Sequence, residues 1–125
     1  MRTDQRPELD ELFHQPVRLE IMAELCSTSE GRSFTDLREK CGLTDGNLSR
    51  HLQSLTQAGA IKIKKSFVKS RPLTSISVTS RGRDSFLRYL DALDDVLRDA
   101  SNRANAGVKG KERQVVGALP KPVRG

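Results

Sequence analysis

The stretch LTDGNLSRHLQSLTQAGAIKIKK, residues 43–65, contains the change of hydrophobic period that decides the fold. Up to Gly59 the apolar residues Leu48, Leu52 and Leu55 recur at helical spacing, and Thr44 is suited to cap the helix start. Beyond Gly59, Ile61 and Ile63 alternate with Lys62 and Lys64, the period of a half-buried strand. A helix therefore feeds directly into a strand. Upstream, TDLREKC reads as a short helix with Thr35 as its N-cap, Leu37 and Cys41 inward, and Gly42 at its end, only three residues before the next helix. Further back, Pro16 opens a helix whose Val17, Ile21, Met22, Leu25 and Cys26 form one apolar stripe. Pro7 opens a shorter amphipathic turn carrying Leu9, Leu12 and Phe13.

Downstream, TSISVT is a second strand, with Ile76 and Val78 alternating with Ser75 and Ser77. The connecting SFVKSRPL reads as a hairpin loop tipped by Ser70, Arg71 and Pro72. Thr79 is placed to cap a last helix from Ser80 to about Asp99, in which Phe86, Leu90, Leu93 and Leu97 make a heptad-like stripe with Tyr89 and Val96 alongside. The order helix, helix, helix, strand, loop, strand, helix predicts a mainly α (α+β) chain. It is a winged helix-turn-helix with a two- to three-stranded β wing and flanking dimerisation helices.

The chain has 125 residues and a net charge of +6, with 35% hydrophobic residues, 4% aromatic and no Trp. Such a chain holds one modest core and no large catalytic cavity. The charge is segregated. Residues 45–83 hold Arg50, Lys62, Lys64, Lys65, Lys69, Arg71, Arg81 and Arg83 against the single acid Asp45, whereas residues 1–44 and 84–103 are net acidic. The basic block thus coincides with the second helix of the helix-turn-helix and the hairpin after it. An ordinary solvated face explains charge but not that coincidence. The closing ANAGVKGKERQVVGALPKPVRG has four Gly, two Pro and no sustained period, which predicts a flexible basic tail over residues 101–125 behind a folded unit ending near residue 100.

These residues resemble the small winged-helix transcriptional regulators of the MarR and ArsR type. The resemblance rests on QPVRLEIMAEL, on LTDGNLSRHLQSLTQAGAIKIKK and on SRPLTSISVTSRGR, and spans roughly residues 13–90. It implies a homodimeric repressor or activator on pseudo-palindromic duplex DNA. The ArsR metal box does not carry over, because Glu24, Leu25 and Cys26 lie on the wrong helix and lack the second Cys. No metal or cofactor is expected.

With Leu48, Leu52 and Leu55 inward, Gly46, Asn47, Arg50, Gln53, Ser54 and Gln57 occupy the opposite side of their helix and Ser49 its edge. Arg suits the two acceptors of guanine, and Asn or Gln suits adenine. Thr44 and the free N–H groups beside it suit a phosphate, and Gly46 permits close approach. Asp45 repels phosphate, so it is either a partner for a cytosine amine or a stabilising first-turn acid. Lys62, Lys64 and Lys65 are placed to meet phosphates, and Lys69 and Arg71 to reach a minor groove; strand lysines also serve simply to protect a sheet edge. Leu9, Leu12, Phe13, Phe86, Tyr89, Leu90, Leu93, Val96 and Leu97 exceed what one small domain buries and predict a twofold interface. Such a dimer sets the two recognition helices about 34 Å apart.

Catalysis finds no support. The histidines are His14 and His51, Ser49 and His51 do not share a helix face, and no phosphate-binding Gly loop or carboxylate pair stands out. The rival reading is a winged helix used for RNA or protein contact, which salt dependence and duplex preference distinguish. Cys26 and Cys41 are too few for a disulfide framework and are expected to be reduced. No apolar run approaches the roughly 18 to 20 residues of a membrane span, and MRTDQRPELDE lacks a signal-peptide core, so a cytoplasmic protein is expected. No residue pattern indicates a small-molecule effector, which would have to use a groove between subunits or a thiol such as Cys26.

Overall fold

The computed structural model describes residues 10–108. Its elements run α1 (Pro16–Cys26), β1 (Arg32–Ser33), α2 (Phe34–Cys41), α3 (Asp45–Gln57), β2 (Ile61–Val68), β3 (Arg71–Val78) and α4 (Ser80–Ala106). The strands form one antiparallel sheet in the order β1-β3-β2. Contacts divide the chain into a unit ending at Leu90 and a second unit beginning at Asp91.

The first unit is built around Ile21, Met22 and Leu25 of α1, Leu37 of α2, Leu48, Leu52 and Leu55 of α3, and Ile61 and Ile76 of the sheet, all buried. Pro16 stands in the first turn of α1, where its missing N–H costs nothing. Ser33, not Thr35, caps α2: its hydroxyl accepts from the Asp36 N–H at 3.1 Å, and the helix starts at Phe34. Gly42 ends α2 at φ 65°, and the Leu43 N–H returns to the Arg38 carbonyl at 3.0 Å. This left-handed residue turns the chain in three residues from α2 into α3.

The wing is longer and its loop tighter than the sequence suggests. β2 and β3 pair without a break from Ile61↔Val78 to Val68↔Arg71, leaving only Lys69 and Ser70 in the turn, at φ 53° and 67°. Two central residues with positive φ match the twist of paired strands, which is why this geometry replaces the wider loop expected over SFVKSRPL. Past Ile61 the hairpin leaves the core and most of its side chains are exposed, Ile63 included.

The junction of hairpin and last helix is tight. The Thr79 hydroxyl donates to the Gly59 carbonyl at 2.7 Å and accepts from the Gly82 N–H at 2.8 Å, while the Thr79 N–H bonds the Ala60 carbonyl at 3.0 Å. A Cβ added at Gly82 would lie 2.0 Å from that Ala60 carbonyl oxygen. Arg83 donates to the Cys26 carbonyl at 3.0 Å, closing the end of α1. At the other side, Arg18 of α1 donates to His51 Nδ1 at 3.2 Å and to Ser54 Oγ at 3.5 Å, fixing α3 on α1.

α4 does not stop near Asp99 but continues to Ala106, because SNRANA contains no breaker before Gly107. In the second unit, Asp94–Arg98 and Asp99–Arg103 are i,i+4 ion pairs of 2.7 and 2.8 Å, with the acid on the N-terminal side as helices favour. Residues 101–106, expected to belong to the tail, are thus helical, and residues 109–125 of that expectation lie outside the described residues. No helix among the described residues is long and apolar enough to cross a membrane.

Two outcomes follow from this packing. Gly82→Ala forces backbone apart and should destabilise by about 2–3 kcal/mol or more in denaturant unfolding; a loss below about 0.5 kcal/mol would show that the junction yields freely. His51 is partly buried and faces the guanidinium groups of Arg18 and Arg50, all of which oppose the imidazolium and hold its pKa below the ordinary 6.5. The neutral ring accepting from Arg18 thus contributes stability that is present above pH 6.5 and lost as pH falls through the lowered value. An NMR titration of His51 should place its midpoint below 6.5, and a midpoint at or above 6.5 would contradict the Arg18 contact.

Candidate nucleic-acid interface

The outward side of α3 is a polar strip with Gly46, Asn47, Arg50, Gln53 and Gln57 all exposed, as helical periodicity requires once Leu48, Leu52 and Leu55 are buried. Thr44 caps this helix through a 3.1 Å bond from the Asn47 N–H, so its hydroxyl is already engaged while the N–H groups of Asp45 and Gly46 point outward from the helix start. A Cβ at Gly46 would touch nothing within 4 Å, so the chain's own packing does not demand glycine there.

Two of the expected base readers are paired with each other: Arg50 donates to Asn47 Oδ1 at 2.8 Å. The bond fixes both side chains on the outer face and leaves further guanidinium donors for a base or phosphate. Asp45 is resolved by a residue that the sequence reading missed. Arg38 of α2 donates to Asp45 Oδ1 at 2.7 Å and lies 3.6 Å from Glu39. The acid that would repel phosphate is thereby neutralised, and a guanidinium is set beside the helix N-terminus. Only the three-residue turn, which folds the end of α2 back toward the start of α3, brings Arg38 there; its position seven residues away in sequence gives no local signal.

Ser54 is a correction. It is half-buried and turned toward α1 as a partner of Arg18, so it does not belong to the outward strip. The physical reason is its place beside Leu55, on the flank that α1 covers. Ser49 and Gln53 sit on the other flank. With Thr56 and Gln57 they form one wall of a groove of about 480 Å³, floored by Phe34 and Leu52 and faced by Ile63, Lys65 and Thr74 of the hairpin.

The hairpin lysines also divide. The unbroken register puts Ile61, Ile63, Lys65 and Phe67 on the side that looks toward α3, and Lys62, Lys64, Ser66 and Val68 on the reverse. Lys62, Lys64 and Lys65, expected to meet phosphates, are all exposed but lie on both sides of the hairpin, because side chains alternate along a strand. Lys69, in the turn, and Arg71, one residue beyond it, are exposed at the far end of the wing.

The apolar set expected at a twofold interface separates into two groups. Phe13, Phe86 and Tyr89 are internal, only 1%, 2% and 3% exposed. The Phe13 ring stands 5.4 Å from Phe86 edge to face and 5.8 Å from Tyr89, whose hydroxyl is 2.9 Å from His14 Nδ1. These three are spent on the subunit's own core, since an aromatic cluster is how the chain before α1 packs on the first half of α4. Leu12, Leu90, Leu93 and Val96 are half-buried, Leu97 is 57% exposed, and Leu9 lies outside the described residues.

Both thiols are held protonated. Burial raises Cys26 despite Arg83 nearby, and burial with Glu20 and Glu24 pushes Cys41 up to about 11. Neither is poised as a reactive thiolate at neutral pH. Among the described residues no group of three His, Cys, Asp or Glu side chains is arranged to hold a metal ion.

Comparison with known proteins agrees with this geometry. The chain is 42% identical over 79 residues to the uncharacterized protein MJ0432 of Methanocaldococcus jannaschii, covering 63% of this chain and 85% of that one. A transcriptional regulator homologue of Pyrococcus horikoshii OT3 superposes with a TM-score of 0.69 at 29% identity, over 76% of this chain and 98% of that one. S. aureus MepR in its complex with DNA shares the fold, with a TM-score of 0.62 at 16% identity, over 81% and 82% of the two chains. The family model of the winged helix DNA-binding domain matches residues 17–97, from the first turn of α1 into the second half of α4. The chain belongs to the winged helix DNA-binding domain family, as the helix-turn-helix and wing described above require.

Proposed function

We propose that the protein is a sequence-specific double-stranded DNA-binding transcriptional regulator that acts as a homodimer and represses by occupying its site. The observation that carries this reading is the strip Asn47, Arg50 and Gln53 on α3, exposed and free of the core beside a wing rich in cations. Those side chains have the donors and acceptors that distinguish base pairs in the major groove. The N–H groups at the start of α3 and Arg38 hold the phosphate that fixes register, and Lys65, Lys69 and Arg71 extend the contact along the duplex. That MepR, of the same fold, is seen on DNA supports the choice of ligand.

The dimer is assigned to α4. Leu90, Leu93 and Leu97 keep a 3, 4 spacing with Val96 alongside, and a stripe of this kind pairs with a second copy of itself. Twofold symmetry then places two recognition helices on successive major grooves.

Arg50→Ala should weaken binding to a selected duplex by about 1–3 kcal/mol and relax base preference at one position in each half-site. An equal loss on random duplex would move Arg50 to a phosphate. Leu93→Asp should convert dimers to monomers in sedimentation, whereas a persistent dimer would place the interface elsewhere.

A further inference from the structure

The wing ends in an apolar feature that neither the recognition strip nor the phosphate contacts use. Phe67 is 73% exposed, the one aromatic side chain more than half exposed among the described residues, while the exposed Val68 and Leu73 lie on the reverse side of the hairpin. A phenylalanine left in water near the tip of the hairpin forgoes about 1.5–3 kcal/mol of burial. Its position is not arbitrary. The unbroken pairing of β2 and β3 sets Phe67 directly opposite Pro72 and on the same side of the hairpin as Ile63 and Lys65, the side that looks toward α3. The ring therefore projects on the side that a duplex would approach with α3 in its major groove.

The support beneath the ring is stiff. Pro72 has a fixed φ, and the turn beyond is the shortest that joins two strands, with Lys69 and Ser70 both at positive φ although neither is glycine. Strain of this kind is kept where geometry matters. The surroundings select the ligand: Lys65 lies two residues along the same side, Lys69 is in the turn and Arg71 adjoins Pro72, while residues 46–83 contain no acid. A rigid apolar edge ringed by cations complements the minor groove of duplex DNA, where phosphates flank the stacked bases on both sides.

We infer that Phe67, braced by Pro72, is a wedge that enters the minor groove beside each recognition helix, partly unstacks one base step and bends the duplex. The inference rests on the DNA-binding reading above and adds a source of specificity to it. A wedge favours steps that unstack easily, so the wing selects a flexible pyrimidine–purine step, TA or CA/TG, at a fixed distance from the bases read by α3. That selection needs no hydrogen bond to a base edge.

The test uses the full chain and a duplex selected by it from a random pool, carrying 2-aminopurine at the step under the wing. Wild type should raise the 2-aminopurine fluorescence and bend the fragment in a phasing gel assay. Phe67→Ser should abolish both and lower affinity for this duplex roughly tenfold, the scale of one lost aromatic–base contact, without changing the salt slope. Phe67→Leu, which keeps an apolar wedge, should retain most of the bend. Circular dichroism melting of both variants checks the fold, which an exposed ring does not support. Unchanged fluorescence, bend and affinity in Phe67→Ser, while Arg50→Ala still loses base preference, would overturn the wedge and leave the DNA reading standing. Failure of wild type to select any duplex would remove both. Loss of dimer in Phe67→Ser would instead assign the ring to a second copy, and loss of binding to anionic phospholipid vesicles with DNA binding intact would assign it to a membrane surface; either result overturns the wedge.

Discussion

Recognition helix and wing are useful together only if their relative position is fixed, and one backbone contact fixes it. The corner Gly59–Ala60, where α3 becomes β2, lies against the first turn of α4, where β3 becomes helix. Thr79 bonds the Gly59 carbonyl, the Ala60 carbonyl and the Gly82 N–H, and Gly82 leaves room for the Ala60 backbone where any side chain would collide. The two ends of the hairpin are thus tied to the end of α3 and the start of α4 at a single point. The outer part of the hairpin can then leave the core and remain aimed. Arg18, by bonding His51 and Ser54, holds α3 from its other flank.

On this frame the charges acquire separate tasks. The cations of α3 and the wing project outward, while the one acid in their midst, Asp45, is taken up by Arg38 across the helix-turn-helix turn. Exposed pairs of this kind contribute little to stability. Their effect here is on the field: the start of α3 presents a guanidinium beside the Asp45 carboxylate instead of a bare carboxylate. The Arg50–Asn47 bond similarly orders two side chains of the proposed reading strip and reduces the rotamer entropy that binding would have to remove.

Most of the architecture was legible because it rests on local period and punctuation. Leu48, Leu52 and Leu55 gave the face of α3, Pro16 and Thr44 the starts of α1 and α3, Gly42 the turn, and the alternation after Gly59 the wing. What escaped depends on contacts between elements. Phe13, Phe86 and Tyr89 look like surplus surface in a helical projection, and only their mutual packing shows them to be core. Ser54 shares a nominal face with Gln53 and Gln57 until Arg18 claims it. Arg38 is silent in sequence because its partner lies across a turn. The tight wing turn is silent in sequence because Lys69 and Ser70 are not the glycine or asparagine that usually announces a two-residue turn.

Selection from a mixed pool decides whether α3 and the wing read duplex DNA by sequence. Purified protein is mixed with sheared genomic DNA at physiological salt, and the retained fragments are sequenced. Strong enrichment is expected of a few fragments sharing a pseudo-palindrome whose half-sites lie about 10 base pairs apart centre to centre. Retained DNA indistinguishable in sequence from the input, or displaced as well by single-stranded RNA as by the enriched duplex, would contradict it.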